Sequence, residues 1–156
     1  MLAFTYLGIV IGVPTLLLSL WHYLTYQSLN YLAYAMIFFL VINTVICVWE
    51  LVLFYCFDSI EAIHQKREKA GFYKMTPEGR KQRENEPIIV FKDLPLKTLL
   101  DPRTWAYVWI DYSRFDTSYV DTQSFGYNID VGNGHSTFIL YVLHPFVALL
   151  ALSPLT

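Results

Sequence analysis

Charge is missing from the start of this chain. The first 49 residues contain no Asp, Glu, Lys or Arg, and the first formal charge is Glu50. The net charge is −2 and no basic stripe exceeds its acidic neighbours, so no nucleic-acid partner is expected. Two long apolar runs, 2–22 and 31–57, follow from this lack of charge. Each is long enough for a transmembrane helix, which needs about 20 residues.

Cysteine is scarce as well. Cys47 and Cys56 are nine residues apart on one predicted helix, about 14 Å along its axis, which is too far for a disulfide. There is no C-x-x-C pattern, and His135 and His144 do not have the spacing of metal ligands. We therefore expect neither a metal nor another cofactor. The first ten residues also lack the basic n-region of a signal peptide, so a retained membrane span is predicted.

These features predict an all-α integral membrane protein with one membrane domain, 1–156. Its three transmembrane helices are expected at about 2–22, 31–57 and 124–152, and a polar loop, 58–121, connects the last two. All eleven Lys and Arg residues lie in that loop. The positive-inside rule then places the loop and the N-terminus on the cytoplasmic or matrix side of an endoplasmic-reticulum or inner mitochondrial membrane.

The loop carries recognisable helix signals. Thr76-Pro77 and Asp101-Pro102 each have the pattern of a helix start, and the second span is predicted to continue past Asp58 to near Gly71. Four apolar side chains recur at helical spacing, at Trp105, Val108, Trp109 and Tyr112. They predict an amphipathic helix that lies in the membrane interface. Alternatively, this stripe packs against the protein's own helices.

The acidic residues inside the apolar segments are the main functional candidates. A carboxylate at membrane depth costs on the order of 2.5–3.5 kcal/mol, so Glu50 either pairs, is protonated or faces a water-filled cavity. It has a ligand-binding or catalytic role, or it makes a structural hydrogen bond between helices. Asp130 in the third predicted span is the second acid. The two acids would form an acid/base pair or bind a cationic amine, unless Asp130 only caps an irregular helix start beside Gly132.

Three ordered motifs add a family resemblance. The segment 49–58 has a tryptophan and a glutamate, then an aromatic cluster, then an aspartate. The segment 109–119 reads W-x-x-Y-x-x-x-D-x-x-Y, and Phe125 and Asp130 follow it. This combination resembles the EXPERA superfamily, which includes the emopamil-binding proteins (sterol Δ8–Δ7 isomerases) and the sigma-2 receptor.

The resemblance implies an intramembrane site for a sterol or an amphipathic amine. In an isomerase, Glu50 and Asp130 would be the acid pair that protonates one ring carbon and deprotonates its neighbour. Asp116 and Tyr119 would fix the loop that leads into the third helix. The ligand-binding residues that we predict are Asn43, Glu50, Phe54, Asp116, Tyr119 and Asp130.

Two departures from the family pattern argue against catalysis. The isomerase histidine one turn before the glutamate is replaced by Ile46, and this chain has three predicted spans where the isomerase has five. We therefore expect a relative shortened at its C-terminus that acts as a non-catalytic accessory subunit of a larger membrane complex, in contact with membrane lipids and other subunits. The alternatives are a sterol isomerase-like enzyme and a module that binds lipids or cationic amines.

Overall fold

The computed structural model describes the backbone of residues 1–152 and the side chains of residues 1–137 and 139. These residues are mainly helical and contain no β-strand. The helices are α1 (Ala3–Tyr26), α2 (Tyr31–Tyr55), α3 (Phe57–Lys69), α4 (Pro77–Asn85), α5 (Leu96–Leu99), α6 (Ala106–Tyr112) and α7 (Phe125–Leu152). Three 3-10 turns lie between them, at Ile89–Phe91, Pro102–Trp105 and Thr117–Val120.

The first two helices form an apolar hairpin. They contain 24 and 25 residues, so each is at least about 36 Å long and exceeds the about 30 Å hydrocarbon core of a bilayer. Gln27 adopts a left-handed φ of 48° after α1, and the Asn30 side chain accepts a hydrogen bond from the Ala33 amide (3.1 Å) at the start of α2. In the described part of the chain, these are the two helices long and apolar enough to cross a membrane.

The helix predicted to continue past Asp58 is interrupted. α2 ends at Tyr55 and α3 begins at Phe57, because Cys56 between them adopts φ −113° and ψ 14°, outside the α-helical range. α3 is therefore a separate helix, and it packs against α6. Its predicted end is confirmed, since Gly71 just after it has a left-handed φ of 77°.

Both helix-start signals of the polar loop are confirmed. The Thr76 side chain accepts a backbone hydrogen bond at 3.3 Å, and Pro77 is the first residue of α4. The Asp101 side chain accepts one at 3.0 Å, and Pro102 begins the 3-10 turn that leads into α6. In both cases the side-chain oxygen satisfies an amide that has no partner within the helix.

The loop folds around buried charged side chains. Arg67 on α3 forms an ion pair with Glu86 and lies 3.6 Å from a carboxylate oxygen of Asp111, which Arg114 also binds at 2.6 Å. The Phe72 ring lies 4.9 Å from each of the two guanidinium groups. Arg67 belongs to α3, Asp111 belongs to α6, and Glu86 follows α4. The cluster therefore holds these three parts of the loop together.

The two tryptophans of the amphipathic stripe are buried against the protein itself. Trp105 and Trp109 are only 6% and 8% exposed. Trp105 packs with Ala3 and Leu99 at the start of α1. These contacts agree with the alternative interpretation of the stripe, in which it packs on the protein's own helices, although Tyr112 is 49% exposed. An interfacial position for α6 stays a prediction.

The start of α1 lies beside the polar loop. The Ala3 amide donates to the Lys92 carbonyl (3.0 Å), and the Leu94 amide donates to the Met1 carbonyl (3.1 Å). This short antiparallel pairing fixes the N-terminal residues and the loop at the same end of the helices. Their position on one side of a membrane stays a prediction.

α7 has the bounds predicted for the third span. It begins at Phe125, directly after Ser124, whose hydroxyl oxygen accepts a hydrogen bond from the Tyr127 amide (3.1 Å). The helix packs along α2 and runs away from the polar loop. Whether it crosses a membrane stays a prediction.

A buried histidine links α3 to the end of α6. The Ser113 hydroxyl donates to the Ile110 carbonyl (2.9 Å), so it accepts from the Nδ1–H group of His64, whose Nδ1 atom lies 2.9 Å away. Burial lowers the pKa of His64 below its ordinary value. The neighbouring Arg67 acts in the same direction, and Glu68 opposes it.

Acidification should therefore destabilise the fold through His64. The unfolded chain takes up the proton near the ordinary pKa of 6.5, whereas the buried ring takes it up only at lower pH. The free energy of unfolding should decrease as the pH falls below that value. We expect His64→Gln, which keeps a donor for Ser113 but does not titrate, to lose less stability than the wild type between about pH 8 and about pH 5 in detergent.

His22→Gln is the control for this experiment, because His22 lies near the C-terminal end of α1 and does not belong to the contact between His64 and Ser113. It should follow the wild-type curve. Equal pH dependence of the unfolding free energy in His64→Gln and the wild type would contradict the assignment.

Candidate intramembrane acidic site

Glu50 is buried even though it lies on an apolar helix. Its exposed fraction is 6%. α7 covers it at Gly134, where a Cβ atom would lie 2.8 Å from the Glu50 Cβ and 3.1 Å from the Glu50 carbonyl carbon. Glycine is thus required for this approach of the two helices. The acid is enclosed by protein on this side instead of by hydrocarbon chains.

Asp130 belongs to the same face of α7. It lies four residues, about one helical turn, before Gly134, so it is one turn nearer to the polar loop than Glu50. The Asp130 side chain is half-buried, on the face of α7 that contacts α2 at Gly134. The structure therefore brings together the two acids that were predicted as a pair.

Neither acid has a cationic partner in the part of the chain whose side chains are described. The ion pairs there join other residues. All eleven Lys and Arg residues fall between residues 66 and 114, outside α1, α2 and α7. The nearest polar neighbour of Glu50 on α2 is Cys47, one turn before it, which is also buried.

Tyr119 reaches Asp130 from the polar loop. It lies in the 3-10 turn Thr117–Val120. Asp116 caps the start of this turn, because the Asp116 Oδ1 atom accepts a hydrogen bond from the Ser118 amide at 2.9 Å. Burial, together with the adjacent negative charge of Asp130, raises the pKa of Tyr119 to about 12. The phenol is therefore protonated at neutral pH and is available as a hydrogen-bond donor to Asp130.

Aromatic side chains enclose the loop end of the site. The Tyr119 ring lies 5.0 Å from the Trp109 ring and 5.0 Å from the Tyr112 ring. The Trp109 indole N–H donates to the Trp49 carbonyl at 2.6 Å. Because Trp49 immediately precedes Glu50, this bond attaches α6 to α2 next to the buried acid.

The remaining predicted residues lie at different distances from the two acids. The Asn43 amide donates to the Phe39 carbonyl (2.8 Å) of its own helix, two turns from Glu50. Phe54 is 45% exposed at the edge of the site, and Asp116 is exposed and serves as a cap. The structure thus brings Glu50, Asp130 and Tyr119 together and leaves Asn43 and Asp116 outside. Ligand-binding roles for all of them stay predictions.

Sequence reasoning missed two residues of α7. Gly134 contacts Glu50, and its only signal in the sequence was the close pair of glycines, Gly132 and Gly134, near the start of the third predicted span. His135 had been considered only as a metal ligand. Its Nδ1–H group donates to the Val131 carbonyl (2.8 Å), and its ring packs edge-to-face on Phe54 at 5.0 Å. Among the described residues no group of three His, Cys, Asp or Glu side chains is placed to hold a metal ion.

Comparisons with family models, with characterised proteins and with solved structures gave no match to this chain. The resemblance to the EXPERA superfamily therefore stays a prediction that depends on the motifs alone.

The contact between Gly134 and Glu50 predicts opposite effects for two substitutions on one helix. Gly134→Ala should destabilise the protein by about 1–3 kcal/mol, because the added methyl group overlaps α2. Gly132→Ala meets nothing within 4 Å and should be neutral or stabilising, by up to about 1 kcal/mol. The measurement is the free energy of unfolding in detergent. Equal losses in both variants would contradict the close approach of α2 and α7.

Proposed function

We propose that this chain is an integral membrane module that binds cationic amphiphiles, with Glu50 and Asp130 as the acids that hold the cationic group. The observation that carries the proposal is the position of both carboxylates between α2 and α7, two helices that contain no Lys or Arg to neutralise them. Two charged acids at membrane depth are costly without a counter-ion. A positively charged headgroup removes that cost.

The surroundings of the acid pair also favour an amphiphile. Phe54 lies one turn from Glu50 toward the loop and is 45% exposed, and Ile129 beside Asp130 is likewise 45% exposed. An apolar chain would lie along these side chains while the cationic group meets the carboxylates. The protonated phenol of Tyr119 and the nearby aromatic rings supply a hydrogen bond and cation–π contacts.

The distribution of charge supports one orientation in the membrane. Every Lys and Arg residue lies in the loop between α2 and α7. We therefore propose that the loop faces the cytoplasm or the mitochondrial matrix, with α1, α2 and α7 in the bilayer.

Binding of a simple probe tests the proposed function. We expect the purified protein in neutral detergent to bind N,N-dimethyldodecylamine, measured by calorimetry, and not dodecanol, which has the same chain without the charge. Glu50→Gln and Asp130→Asn should each weaken amine binding about tenfold or more, because each removes one charge partner. Glu84→Gln, an exposed acid of α4, should leave binding unchanged.

Two results would overturn this proposal. Equal affinity for the amine and the alcohol would show that the acids do not recognise charge. Turnover of a Δ8-sterol by the purified chain, lost in Glu50→Gln, would show that the site is catalytic instead of only binding.

A second candidate, an accessory subunit of a larger membrane complex, is favoured by a separate observation. Gly8 and Gly12 lie four residues apart on α1, and a Cβ atom at either position would meet nothing within 4 Å. The pair is thus a shallow groove that no other part of the described chain fills. Small residues at this spacing allow another membrane helix to approach closely.

The groove gives a test of the subunit candidate. Gly8→Leu with Gly12→Leu should leave the thermal stability of the purified chain unchanged, because open space surrounds both positions. The same variant should lose its place in the larger particle extracted from native membranes, measured by native electrophoresis. Val13→Leu, at an exposed neighbouring position, is the control and should keep it. A wild-type chain that migrates alone would exclude this candidate.

A further inference from the structure

The segment between α4 and α6 presents apolar side chains to the outside of the protein. Phe91, Leu96 and Leu100 are 64%, 54% and 62% exposed. Leu96 and Leu100 are four residues apart, so they lie on one side of α5 and the residue that follows it. The three side chains do not contribute to either apolar core of the described chain.

Backbone pairing sets the level of this segment relative to the membrane helices. Lys92 and Leu94 pair with Ala3 and Met1, directly where α1 begins. Leu99 packs with Ala3 in the same place. If α1 enters the bilayer at its first residues, the segment lies beside the entry point, at the level of the lipid headgroups.

The segment also carries basic side chains without acidic partners. Lys97 and Arg103 are exposed, and neither forms an ion pair in the described part of the chain. The two nearby acids are engaged elsewhere: an Asp93 carboxylate oxygen lies 2.6 Å from the terminal amine, and an Asp101 carboxylate oxygen accepts from the backbone amide of Arg103. Exposed apolar side chains between free basic groups are complementary to anionic lipid.

The same loop also forms a shallow apolar groove of about 210 Å³. Its lining includes Ile88, Val90, Val108 and Phe115. Val108 also packs against the cluster formed by Ala3, Leu99 and Trp105. Phe115 is 81% exposed at its rim.

We propose that this surface, formed by Phe91, Leu96, Leu100, Lys97 and Arg103, lies on anionic headgroups of the membrane that holds α1. It is an interfacial element separate from α6, whose two tryptophans are buried in the protein. The proposal does not depend on the acid pair or on what that pair binds.

Spin labels test the depth of the surface. Both native cysteines are first replaced, by Cys47→Ala and Cys56→Ala, and a single new cysteine is then introduced for the label. It replaces Leu96 or Leu100 in the proposed surface, or Met75 as the control. Met75 is 96% exposed in the turn between α3 and α4. After reconstitution into vesicles of phosphatidylcholine with phosphatidylserine, labels at 96 and 100 should be accessible to oxygen and protected from a water-soluble nickel chelate. The label at 75 should show the opposite pattern. Equal nickel accessibility at all three positions would overturn the proposal.

The charge requirement has its own test. Native mass spectrometry of the wild-type chain should show phosphatidylserine retained in preference to phosphatidylcholine, and Lys97→Gln with Arg103→Gln should lose that preference. Lys81→Gln, an exposed basic residue of α4, is the control and should keep it. No preference in the wild type would overturn the anionic part of the proposal. Glu50→Gln should leave the label depths and the lipid preference unchanged, so a failure here is distinguishable from a failure of amine binding.

Discussion

The arrangement of this protein depends on covering one carboxylate in an apolar helix. Glu50 lies five residues before the end of α2, in an otherwise uncharged helix, and a charge in such a segment is costly unless protein surrounds it. Gly134 has no side chain, so α7 can approach until the two backbones are nearly in contact. That approach fixes the register of α7, and the register places Asp130 one turn away, within reach of Tyr119. One contact between α2 and α7 therefore explains why Glu50 is buried, why residue 134 is a glycine and why Asp130 lies near Glu50.

The polar loop is a second folded layer, and it is held by charge as well as by apolar contacts. Asp111 accepts hydrogen bonds from the Arg114 side chain (2.6 Å) and from the Ile89 amide (2.8 Å), so its carboxylate is satisfied although it is buried. Truncating one member of such a cluster leaves the others as uncompensated buried charges. This cluster keeps α6 in place, and α6 carries the tryptophan that binds the backbone next to Glu50. The charged layer thus positions part of the membrane site.

Local patterns in the sequence were sufficient for the long apolar helices and for two of the helix starts in the polar loop. The uncharged runs predicted α1 and α2, and Thr76 and Asp101 marked starts that the structure has. These features depend on neighbouring residues, so a single sequence contains them. The break at Cys56 was not predictable in the same way, because neither glycine nor proline marks it.

Long-range pairings were the other part that the sequence did not reveal. Arg67 and Asp111 are 44 residues apart, and nothing local to either predicts that they meet. The tryptophan stripe of α6 had two interpretations because the same spacing suits a lipid surface or a protein core. Contacts with residues distant in the chain, Trp49 and Ala3, bury the two tryptophans in the protein, which the local spacing does not predict. The acid pair was predicted because its rarity in an apolar segment is a signal in itself.

The pairing of Ala3 with Lys92 has a consequence for biosynthesis. Ala3 is fully buried by Leu99 and Trp105, which the ribosome adds about one hundred residues later. During synthesis, α1 is therefore complete before the residues that cover Ala3 have been added, and contacts of such high sequence separation are typical of slow folding. Ala3 stays uncovered until this part of the polar loop has been made.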